Sequence, residues 1–176
     1  LKNLFEQVYL SDIINRYKLK GHDEIGVLTN VLASSIGSLT NPQRLANTFQ
    51  SSSNLKLSQF TISSYIDYLI DSFLIERVHR FDVKGRKYIG TPMKYYFVDV
   101  GLRNARLNFR QQEENHIMEN IIYNELKAMG FNVDVGVVEY SKNQNGKSVR
   151  VQAEVDFVCN KADKRFYIQS VLSIPD

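Results

Sequence analysis

The sequence predicts an α+β fold, with helices first and strands last. Two observations predict it. Apolar residues recur at helical spacing through most of residues 1–73. From residue 131 onward the pattern changes to short runs that alternate with period two. The length of 176 residues suits one to two domains. A content of 43% hydrophobic and 11% aromatic residues excludes a disordered chain. No apolar run approaches the ~18 residues of a membrane span, and the N-terminus lacks the order of a signal peptide. Cys159 is the single cysteine, so no intrachain disulfide can form, which fits a reducing, cytoplasmic setting. Leu1 stands where a start Met is expected and points to a longer parent protein.

The elements follow in order. Leu4, Leu10, Ile13 and Ile14 mark an opening helix. After Gly21, the spacing of Ile25, Leu28, Leu32 and Ile36 predicts a second helix, stopped by Gly37. Thr40-Asn41-Pro42 starts a third, which runs to about Phe49, with 50–57 a polar loop. Ser58 caps a fourth, whose apolar face is Ile62, Tyr65, Ile66, Leu69, Ile70 and Phe73. Ile75–Phe81, a turn at 82–85 and Arg86–Ile89 form a hairpin. Three short helices followed by a two-stranded hairpin is the order of a winged helix.

Charge is concentrated at that hairpin. The net charge is +3. Between Arg77 and Lys94 stand six basic residues and one acid, Asp82. Arg77, Arg80, Lys84, Arg86 and Lys87 are the nucleic-acid-binding candidates, since a local positive segment can meet phosphate. The same segment also suits an acidic protein or water alone. The helix after Ser58 offers Gln59, Ser63 and Ser64 to base edges, but Asp67 and Asp71 on it would repel phosphate. Contact with double-stranded DNA is therefore expected through the wing.

The second half starts with a buried strand, Tyr95–Val98, and a polar region after Asp99. A helix over 115–129 ends at Gly130, and strands follow at 131–140, 149–159 and 165–172. Gly146-Lys147-Ser148 lacks the glycine and the following helix of a P-loop. His116 has no second His or Cys nearby to suggest zinc. Along Val151–Val158 the alternation puts Gln152, Glu154 and Asp156 on one face. Glu119 from the helix, Asp156 from a strand and Gln169 from the next strand are the parts of a Mg²⁺-dependent nuclease site. The same residues also suit hydrogen bonds that fix the sheet.

Taken together, Lys94-Tyr95-Tyr96-Phe97-Val98-Asp99-Val100-Gly101-Leu102-Arg103, Met118-Glu119-Asn120-Ile121-Ile122, Glu154-Val155-Asp156-Phe157-Val158 and Tyr167-Ile168-Gln169 resemble the C-terminal region of a prokaryotic AAA-type ATPase family. In that family a winged helix and a restriction-endonuclease-like PD-(D/E)xK domain, of unknown function, follow the ATPase domain. The resemblance implies an N-terminal winged helix-turn-helix over residues 1–92 and a partial restriction-endonuclease-like α/β domain over 93–176, truncated before its last helix and strand. It implies Glu119, Asp156 and Gln169 as the nuclease-like catalytic positions, with Glu119 and Asp156 as metal ligands. The lysine position falls on Val171, so this chain is expected to cleave weakly or not at all, unless Lys161 or Lys164 substitutes. No enzyme activity is expected in the fragment itself. The expected function is a DNA- or protein-binding module of the ATPase. The alternatives are a Mg²⁺-dependent nuclease and a protein-interaction domain that regulates the ATPase. ATP belongs to the upstream ATPase domain, which is the other expected partner.

Overall fold

The computed structural model describes residues 3, 5–20, 22–53, 56–110, 113–144 and 146–173. Leu1, Leu4 and Gly21 lie outside them, as do 174–176. A π-helical turn, Phe5–Leu10, continues into α1, Ser11–Tyr17. Three helices follow: α2 (His22–Ser34), α3 (Pro42–Ser53) and α4 (Gln59–Asp71). Ile25, Leu28, Leu32 and Ile36 are fully buried or nearly so, which makes the helical spacing a true core stripe. Gly37 ends it in the left-handed region at φ +70°. The Asn41 side chain accepts the Arg44 N–H at 2.8 Å and caps α3. That helix continues past Phe49, so the first part of the expected 50–57 loop is helical. Ser58 caps α4 by accepting the Thr61 N–H at 3.1 Å.

Strands β1 (Ile75–Asp82) and β2 (Lys87–Phe97) are antiparallel. The Asp82 carboxylate ties the turn between them by accepting the N–H groups of Lys84 and Gly85. The returning strand does not stop at Ile89. It runs through the cis Thr91–Pro92 bond into Lys94–Phe97, so two expected strands are one. The expected boundary between residues 92 and 93 falls inside it. Helix α5 (Val100–Arg106) occupies the segment expected to be merely polar, capped by Asp99 accepting the Leu102 N–H at 2.9 Å. Helix α6 (Glu114–Ala128) precedes β3 (Asn132–Gln144), β4 (Lys147–Lys161) and β5 (Lys164–Ile168).

The five strands make one open sheet of order β2-β1-β3-β4-β5, and the fold is mixed α+β. Each neighbouring pair is antiparallel except β1 and β3, which run parallel over Arg80–Asp82 and Val135–Val137. This pairing makes β1 an interior strand. One apolar cluster runs from Ile62 and Tyr65 on α4 through Ile75 and Tyr96 to Tyr123, Val135 and Phe157. The hairpin and the C-terminal strands therefore share a core.

The expected clean alternation on β4 fails near Asp156. The register steps from Asp134–Val158 to Gly136–Val155, so two β4 residues oppose one on β3. Asp156, Phe157, Val158 and Cys159 are all buried in succession. Gly136 permits this approach, because a Cβ there would lie 2.8 Å from both Val155 Cβ and Val158 Cγ2.

Candidate functional site

Three elements bring the nuclease-like candidates, two acids and an amide, to one place. Helix α6 supplies Glu119, the bulged part of β4 supplies Asp156, and the segment after β5 supplies Gln169. All three line a cavity of about 500 Å³, with Asn115, His116 and Ser170 also on its wall. Asp156 is held from one side, where its Oδ2 accepts the Ser170 N–H at 2.7 Å and the Ser170 hydroxyl at 2.6 Å. The Gln169 side-chain amide oxygen accepts the Asp156 backbone N–H at 3.4 Å. Gly37 packs against two of these residues, since an added Cβ would come 3.2 Å from His116 Nδ1 and 3.4 Å from Glu119 Oε2.

The lysine beside Glu119 is Lys94 on β2. Its Nζ lies 2.7 Å from Glu119 Oε1 and 2.7 Å from Glu154 Oε1. Burial pushes its pKa down, yet Glu119 and Glu154 outweigh burial and leave it raised. The Tyr96 hydroxyl also donates to Glu119 Oε1. Burial first, and Glu119 next, raise the Tyr96 pKa strongly and keep that phenol neutral. Lys161 does not take this position, because its Nζ donates to the Met129 carbonyl at 2.7 Å. Lys164 is exposed at the start of β5. Val171 lines the cavity as an apolar wall. The sequence signal for Lys94 was a cation heading an apolar run, Lys94-Tyr95-Tyr96-Phe97, two positions before a tyrosine on the same face. Among the described residues no group of three or more His, Cys, Asp or Glu is placed to hold a metal ion.

The five basic candidates separate by burial. Arg80 is buried and donates to Gln152 Oε1 at 2.8 Å. Arg77 is partly buried and bridges to Asp67 at 2.5 Å. Both lie on β1, whose two edges are paired in the sheet. Lys84, Arg86 and Lys87 are exposed at the hairpin tip, with Lys84 Nζ donating to the Glu139 carbonyl at 2.8 Å. Among the described residues no helix is long and apolar enough to cross a membrane.

Comparison with known proteins adds relatives without assigned roles. The model of a family described as a domain of unknown function (DUF8612) matches residues 1–113. An uncharacterized protein of Haemophilus influenzae is 32% identical over the whole chain, which spans 41% of that protein. An uncharacterized protein of Methanocaldococcus jannaschii is 28% identical over 90% of the chain, spanning 33% of its length. The chain therefore covers less than half of either relative. No solved structure matches it.

Proposed function

The chain belongs to the DUF8612 family, and we propose that it is the DNA-engaging accessory module of an AAA-type ATPase, with a nuclease-like domain that does not cleave. The observation that carries this reading is the hairpin tip. Lys84, Arg86 and Lys87 project there as exposed cations, and Thr91, farther along the same strand, lies against the start of α4. We read α2, α3, α4 and the hairpin as a winged helix-turn-helix. The bridge between Thr40 and Met93, which adds an extended segment beside β2, supports this. Residues 93–176 read as a partial restriction-endonuclease-like domain. The commitment of Glu119 to Lys94 and Tyr96, and the apolar Val171 on the cavity wall, support a site without turnover. ATP and the ATPase domain are assigned upstream of this chain. A buried, solitary thiol at Cys159 suits a cytoplasmic setting.

The test is binding to labelled duplex DNA. Affinity should fall linearly on a logarithmic salt axis with a slope near −0.9 per neutralised phosphate, or about −3 for three tip cations. Arg86→Glu with Lys87→Glu should abolish it. No binding at low salt would remove the DNA reading.

A second reading, a Mg²⁺-dependent nuclease, is favoured by one observation: a lysine, Lys94, does pair with Glu119, and Glu119 shares the cavity wall with Asp156 and Gln169. Two carboxylates and an amide oxygen suit a magnesium ion that keeps several waters. Glu119 and Asp156 would hold the ion, which would supply Lewis-acid activation of a phosphate. Magnesium-dependent nicking that disappears in Asp156→Ala would support this reading, and nicking unchanged by that substitution would sink it.

A further inference from the structure

We infer that Gln43 and Gln59 read adenine·thymine base pairs from the surface where α3 meets α4. The inference rests on the DNA reading above and names what that surface recognises.

Two cavities, of about 420 and 350 Å³, open on this surface and share Gln43 and Gln59 as lining residues. Asn47 and Lys56 belong to the first, and Phe60 and Ser63 to the second. Neither lining contains a carboxylate. The acids of α4 lie farther along the helix and are tied to the protein body. Asp67 bridges to Arg77 at 2.5 Å, and Asp71 accepts the Tyr17 hydroxyl at 3.2 Å. The repulsion that the bare sequence suggests for this helix is therefore confined to its distal half, and Asp67 is paired there.

What remains at the docking end is an amide surface. A primary amide offers one donor and one acceptor side by side, which matches the N6 and N7 edge of adenine. Guanine presents two acceptors and matches a guanidinium instead. The Gln43 amide also donates to Asn47 Oδ1 at 3.2 Å, which orients it. Phe60 is 76% exposed beside Gln59 and offers an apolar contact of the kind that a thymine methyl takes. The occupant is duplex DNA rather than a protein on grounds of charge. Lys56 lines the first cavity and is exposed. Thr91 on β2 lines the second. Lys87 stands four residues before Thr91 on the same strand, about 13 Å away at ~3.3 Å per residue. Cations thus flank the amides where phosphates flank base edges.

The experiment measures anisotropy of short labelled duplexes, A·T-rich and G·C-rich, at low salt. The protein should bind the A·T-rich duplex tighter, on the order of 10-fold. Gln43→Ala with Gln59→Ala should bring the two affinities within about twofold while the salt slope stays unchanged. Both glutamines are at the surface, and circular dichroism checks that this variant folds. Arg86→Glu with Lys87→Glu should abolish binding to both duplexes alike. Equal affinity of the unmutated chain for both duplexes, or a preference that survives the double alanine variant, overturns base reading and leaves DNA binding standing. No binding to either duplex overturns both.

Discussion

Replacing Lys94 by Met should expose the energetics of the acidic cavity. Lys94 is 3% exposed and makes two charged contacts of 2.7 Å. Its partners differ. The Glu119 side chain is 10% exposed, whereas that of Glu154 is 35% exposed and screened by water. Removing the cation from a buried pair costs about 3–5 kcal/mol, because the partner charge is left without compensation. The Glu154 contact adds only about 0–1 kcal/mol, as surface pairs do. Lys94→Met is therefore expected to lose about 4 kcal/mol, nearly all through Glu119. Lys94→Met with Glu119→Gln should recover more than half of that loss, since a neutral amide can still accept the Tyr96 hydroxyl and no unpaired charge remains. Urea unfolding of the two variants and of Glu119→Gln alone completes a double-mutant cycle, provided the m-values agree. A loss below about 1 kcal/mol for Lys94→Met would refute the reasoning. So would a double variant no more stable than the single one.

Four further outcomes are expected. Gly136→Ala places a Cβ 2.8 Å from two valine carbons at the bulge and should cost about 1–3 kcal/mol in a thermal melt. Arg80→Ala removes a buried charged hydrogen bond and should cost about 1.5–3 kcal/mol in urea, with duplex affinity unchanged, unlike Lys87→Ala. Burial, and then the hydrogen bond to Glu24, push the Tyr65 phenol up to about 12. A pKa raised above its unfolded value of ~10 keeps its stabilisation below pH 10 and loses it as pH climbs toward 12; Tyr65→Phe should flatten urea midpoints over that window. Burial pushes the Cys159 thiol up to about 11, and it is fully covered, so thiol reagents at pH 8 should label it only after unfolding.

Most helices were legible because each carries its own evidence in adjacent turns. The stripe Ile25–Ile36, the Ser58 cap and the Asn41-Pro42 start are local signals, and the structure uses each as local physics predicts. Helix α5 was hidden because its seven residues are too short for a periodic stripe, and only Asp99 marks its start. The merger of two short strands into β2 was hidden by Gly90, Thr91 and Pro92, which read as a break but are carried through within the strand. The cavity was half legible. Glu119, Asp156 and Gln169 are chemically conspicuous and converge. Lys94 was not, since it stands 25 residues before Glu119 on a strand whose partners only folding defines.

By itself the sequence determined the α+β class, the helical core stripes, the caps and the location of the charge. These depend on residues within a few positions of one another. Tertiary structure alone decided which charges are available. The parallel pairing of β1 with β3 turns an apparent free wing into an interior strand, covers Arg80 and leaves only the tip cations in water. It also decided that Lys94 answers Glu119 and Glu154. A buried cation must find its counter-charge wherever the chain's folding brings one, and no local pattern records that distance.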